Sequence, residues 1–119
     1  MEKQELIIEH DQVTVEVELG GEQIAHSHRP VVVKEAGHAP VYYIPLADVA
    51  PAALEPSLRR TRCPLKGEAR YWHLRGGGRR VEDAAWTYDH PVPGREVLRD
   101  YVAFYPERVD ALRVAPTRG

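Results

Sequence analysis

The chain has a single cysteine, Cys63, in 119 residues, which excludes an intramolecular disulfide, a zinc ribbon and any paired Cys-x-x-Cys site. A lone thiol fits a reducing cytosol, so a cytoplasmic setting is expected. No apolar run approaches the roughly 18 residues that span a bilayer, so no transmembrane helix and no membrane partner are expected. Met1-Glu2-Lys3-Gln4-Glu5 lacks a basic stretch followed by a long apolar one, and no secretory signal is expected. Strong charge of one sign is missing too. A net charge of -2 and a pI near 6.3 give no overall drive toward nucleic acid or anionic membrane. The phosphate-handling signatures are also absent. No Gly-x-x-x-x-Gly-Lys-Ser/Thr loop occurs, Gly76-Gly77-Gly78 has no helix after it, and no close acidic pair on one strand offers to hold two Mg²⁺ ions.

What is present suffices for one domain with a real core, at 43% hydrophobic residues. The charge is unevenly placed. Residues 1–57 hold 3 Lys/Arg against 10 Asp/Glu, and residues 58–119 hold 13 against 8. Arg59, Arg60, Arg62, Lys66, Arg70, Arg75, Arg79 and Arg80 crowd one stretch in which Glu68 is the only acid. Either the two halves partly neutralise each other, or these cations form an anion-binding face.

Periodicity points to strands. Val13, Val15, Val17 and Leu19 alternate with polar residues, and Gly20-Gly21 supplies the positive φ of a tight hairpin before a returning strand to His28. Val31-Val32-Val33 and Val41-Tyr42-Tyr43-Ile44, ending at Pro45, continue a β-meander. Leu46 to Arg60 is rich in Ala and Leu and broken by Pro51 and Pro56, which predicts short helical turns with these prolines in first-turn positions. Glu68 to Leu74 and Val81 to Tyr88 form a hairpin around the triple glycine. Gly94 to Asp100 has room for two helical turns, Tyr101 to Tyr105 reads as a core strand, and a last short strand falls around Val109 to Val114. The fold class is therefore mainly β, a small antiparallel β-barrel or bent double sheet with one or two short helices. The domain is expected over 13–114, between an N-terminal edge segment over 1–12 and a disordered tail over 115–119.

A set of landmarks recurs along this frame. Tyr42-Tyr43-Ile44-Pro45 with Asp48 comes first, then Thr61-x-Cys63-Pro64-x-Lys66-Gly67-x-Ala69-x-Tyr71. Ala85-Trp86-x-Tyr88-x-x-Pro91 and Val102-Ala103-Phe104-Tyr105 complete it. Together they closely resemble the family known as domain of unknown function 427, sometimes given a nucleotidyltransferase label. The resemblance runs from about Val13 to Val114. It implies a mostly antiparallel β-barrel or bent double sheet with a short helix, of bacterial or fungal type, without an established activity.

The residue chemistry leaves three function classes open. In the leading one, a small-molecule binding domain takes an anionic or polar-aromatic ligand, with Tyr43, Asp48, Cys63, Lys66, Gly67, Trp86 and Tyr88 as the binding residues. Trp86 and Tyr88, two apart on a strand, share a face and form either a core cluster or a pocket wall. Lys66 meets an anionic ligand or closes an ion pair with Asp48 or Asp83. In the second class an enzyme uses Cys63 as nucleophile, its thiol beside Arg62 and Lys66, or Lys66 as acid/base or anion clamp. In the third the marked residues are structural, Cys63 is a packed side chain, and an arginine face including Arg59, Arg70 and Arg79 meets a protein partner. Pro64 and Gly67 are turn formers under every reading. His26 and His28 share a strand face at metal-compatible spacing but lack an identifiable third ligand. No metal and no cofactor are expected, and the oligomeric state is left open.

Overall fold

The computed structural model describes residues 6–117. Their strands are β1 (Leu6–His10), β2 (Val13–Leu19), β3 (Glu22–Ser27), β4 (Val31–Glu35), β5 (Val41–Pro45), β6 (Leu54–Cys63), β7 (Gly67–Gly76), β8 (Arg79–Pro91), β9 (Tyr101–Phe104) and β10 (Ala111–Pro116). All pair antiparallel, as the short connections require. A seven-stranded sheet runs β1-β4-β5-β9-β8-β7-β6, and a three-stranded one runs β10-β2-β3.

Alternation along the strands builds two cores. Val15, Val17, Leu19 and Ile24 of the small sheet pack on Ile44, Trp72, Leu74, Val102 and Phe104 of the large one. The opposite face of the large sheet gathers Val31, Val33, Tyr43, Ala69, Tyr71, Tyr88 and Ala103, with Leu98 lying over them. This second face is concave. Lys66 Nζ, in the turn before β7, reaches Glu35 Oε1 at the end of β4 at 3.2 Å. Four strand spacings separate β4 from β7, on the order of 19 Å if the sheet were flat, too far for two side chains to bridge. The sheet must therefore curl around its aromatic face. It is a bent double sheet and does not close into the barrel held as the alternative.

The hairpin tips lock the two sheets together. Gly20 (φ 62°) and Gly77 (φ 52°) meet backbone to backbone, and a Cβ added to Gly77 would fall 2.7 Å from Gly20 Cα. No side chain fits between them.

Three expectations are corrected. Helical turns over Leu46 to Arg60 shrink to two single 3-10 turns, Leu46–Asp48 and Pro51–Ala53, after which the chain enters β6. Pro51 does open its turn, but Pro56 lies within β6, opposite Trp72. It is tolerated there because β6 borders the sheet and has a partner strand on one side only. Second, Gly94 to Asp100 makes one 3-10 turn, Glu96–Leu98, instead of two helical turns. Third, the tail expected to be disordered from Ala115 continues β10 to Pro116, and Thr117 N–H donates to Gln12 O at 3.0 Å. Its last two residues lie outside those described. Among the described residues no helix is long and apolar enough to cross a membrane.

Candidate functional site

Period-two alternation places Tyr43 of β5 and Trp86 and Tyr88 of β8 on the concave face together. Trp86 Nε1–H donates to the Tyr43 hydroxyl at 3.2 Å, with the rings edge to face at 6.2 Å. Tyr88 lies tilted against Tyr43 at 6.3 Å. Burial pushes the phenol of Tyr43 well above its ordinary range, although the Trp86 N–H and the neighbouring Tyr88 hydroxyl oppose the shift. Tyr88 is raised as well, first by burial and then by Tyr43 and Cys63 beside it.

The turn between β6 and β7 borders this cluster. Lys66 N–H closes it on Cys63 O at 3.2 Å, and Val92 N–H donates to Lys66 O at 3.0 Å. Gly67 adopts φ 123°, and a Cβ there would come within 2.8 Å of Pro91 Cα, so only glycine fits. Cys63 is half-buried against the aromatic face, and among the described residues no hydrogen bond joins it to a histidine or carboxylate. Lys66 is paired with Glu35, and with neither Asp48 nor Asp83.

Asp48 sits apart. Its carboxylate accepts from Ser27 Oγ at 2.6 Å and from Arg29 at 3.2 and 3.3 Å. Burial would raise its carboxyl, but the bonds from Arg29 and Ser27 outweigh that and hold it below the usual range. Asp83 accepts from Ser57 Oγ, and its N–H donates to His73 Nδ1. The arginine stretch is largely engaged: Arg75 and Arg80 on Glu55, Arg79 on Asp110, and Arg60 on Asp89. Arg75 and Arg80 thus bridge the acidic and basic halves of the chain. Among the described residues Arg59 and Arg62 form no ion pair. Glu68, Asp89 and His90 bring one metal-capable atom each within 4.8 Å of the others, with Arg60 held on Asp89 at 3.0 Å. A bulge in the β7–β8 pairing makes that grouping, which residue spacing does not reveal.

Trp86 borders a cavity whose lining includes none of Cys63, Lys66 and Tyr88. β5 and β9 pair only at Ile44↔Val102 and Pro45↔Tyr101. Beyond these pairs an apolar groove of about 420 Å³ opens between Val41-Tyr42 and Phe104-Tyr105, with Trp86 and Leu112 in its wall. Tyr105 stacks tilted on Trp86 at 4.5 Å and also lines a second cleft of about 470 Å³, with Arg59, Glu82, Asp83, Glu107 and Arg108. Tyr42 and Tyr105 were not among the expected site residues, and Arg59 was expected only as part of the arginine face. Tyr101, Ala103 and Tyr105 alternate in the sequence, and that signal places Tyr105 beside Trp86.

No curated protein matches the chain. The family model described as "Domain of unknown function (DUF427)" matches residues 7–115, almost the whole length, and the chain belongs to that family.

Proposed function

We propose that this domain binds a small molecule whose planar, largely apolar part enters the groove against Trp86. The observation that carries the reading is Trp86 itself. It is half-buried, its indole N–H is fixed on Tyr43, and its ring faces a cavity whose other walls are Tyr42, Phe104 and Tyr105. A cavity of about 420 Å³ falls in the size range of small-molecule sites, roughly 300–1,000 Å³. A rigid aromatic wall favours flat ligands because stacking costs little side-chain entropy. The reading keeps Trp86 and Tyr43 from the expected set and gives Cys63, Tyr88 and Gly67 a supporting role behind them. With its amine on Glu35, Lys66 is not offered as the anion clamp.

Trp72 is buried and bonded to Thr87, so a fluorescence change on ligand addition reports on Trp86. A panel of flat probes (indole, benzoate, adenosine) should quench this emission. A probe at about 100 times its dissociation constant should add about 2.7 kcal/mol of stability, several degrees in a melt. Trp86→Ala should abolish both responses. A wild-type protein that neither quenches nor shifts with any probe at millimolar concentration overturns the reading.

A further inference from the structure

We infer that the ligand of the Trp86 groove is an aromatic acid, its ring against Trp86 and its carboxylate or phosphate on Arg59 and Arg108 in the adjoining cleft. This rests on the groove reading above and adds the ligand's chemical class.

The two cavities share a wall. Tyr105 lies 4.5 Å from the Trp86 ring on one side and lines the arginine-bearing cleft on the other. Tyr105 and Tyr71 belong to the same aromatic cluster, and the Arg59 guanidinium lies over the Tyr71 ring at 4.6 Å. Trp86, Tyr105, Tyr71 and Arg59 thus form one row, and Tyr105 lines both the groove and the cleft that holds the cation.

Most charges around the cleft are already committed. The Asp83 carboxylate accepts from Ser57 Oγ. The Glu82 carboxylate takes Arg80 at 3.2 Å, and the Glu82 carbonyl takes Arg108 at 2.7 Å. Arg59 has no carboxylate partner among the described residues, and a second nitrogen of Arg108 is not engaged. Glu107, exposed at the rim, is the remaining acid.

The local fold holds Arg59 ready. Between Pro56↔Trp72 and Arg60↔Arg70, β6 spends four steps where β7 spends two, which forces a bulge. Ser57 Oγ pins that bulge by accepting Arg59 N–H at 3.0 Å while donating to Asp83, which itself adopts φ 50°. Stacking on Tyr71 then orients the guanidinium with its N–H edges free. A planar fork so placed suits a carboxylate or phosphate.

The test is titration of the full chain with three probes: indole-3-acetate, neutral indole, and acetate. Trp86 fluorescence is read, with calorimetry as an independent measure. The acid should bind at least tenfold tighter than indole, and acetate alone should not compete at equal concentration. Arg59→Met, which preserves contact with Tyr71, should remove most of that advantage while leaving indole binding within twofold. Glu107→Gln should tighten the acid. If indole binds through Trp86 but the acid gains nothing and Arg59→Met changes nothing, the acid assignment falls and the groove stands. If neither ring compound binds, both fall. Acid binding that survives Trp86→Ala overturns the joined site.

Discussion

At the scale of single residues, Tyr43 links core and groove. Its hydroxyl accepts the Trp86 N–H and lies beside Tyr88 in a setting that disfavours the phenolate. Tyr43→Phe leaves the indole N–H unpaired in a half-buried place, which should cost about 1–3 kcal/mol at neutral pH. The pH dependence has a definite sign. Both phenols are raised, so the fold holds their protons more tightly than the unfolded chain does. That stability is fully present below the ordinary phenol value near 10 and is lost as pH climbs beyond it, where the unfolded chain ionises first. Chemical denaturation at successive pH values should show the wild type losing stability steeply above about pH 10. Replacing Tyr43 and Tyr88 together by Phe should flatten that limb, and an unchanged limb would place the coupling elsewhere.

At the scale of elements, the contact between hairpin tips makes a sharp demand. Gly20 and Gly77 both hold positive φ and leave no room for a methyl group, whereas Gly78 also has positive φ but faces open space. Gly77→Ala should destabilise by about 3 kcal/mol or more, through overpacking and left-handed strain together. Gly78→Asn should stay within about 0.5 kcal/mol, since Asn accepts this conformation in a primed turn. Equal losses in thermal or urea melts would mean that the tips do not bear on each other. The glycine pairs were readable as hairpins because turn chemistry is local; their meeting was not, because it joins turns far apart in sequence. The same division runs through the fold. β2 declared itself by strict alternation, but β6 looked helical because Ala and Leu crowd its approach and a bulge interrupts its period. Pairing with β7 along ten residues overrode that local preference. At the site, Trp86 and Tyr88 were legible from their spacing of two, whereas the place of Tyr43 against them is set by strand pairing. The grouping of Arg59 with Tyr105 was hidden, since it needs the bulge to turn Arg59 over Tyr71.

At the scale of the whole molecule, what requires explanation is the curl of the seven-stranded sheet. Backbone pairing alone permits many curvatures, and a strongly bent sheet must be held by contacts that cross it. Leu98 covers the concave face from within, and the Lys66–Glu35 pair ties the β6–β7 turn to the end of β4. The side chains of that pair are 14% and 20% exposed, so it is screened less than the other ion pairs. Removing one partner strands the other charge in a half-buried place. Glu35→Gln should therefore cost about 1–3 kcal/mol, and Lys66→Met a similar amount. The double replacement removes both charges and their desolvation, and it should be more stable than the sum of the singles predicts, with a coupling of about 1–2 kcal/mol. A tie across the sheet has a further consequence that a local ion pair lacks. Loosening it should raise amide exchange in β4 and in the β6–β7 turn together, while the β2–β3 hairpin of the small sheet keeps its protection. Additive singles, or exchange raised only around the mutated residue, would show that packing under Leu98 holds the bend without this pair.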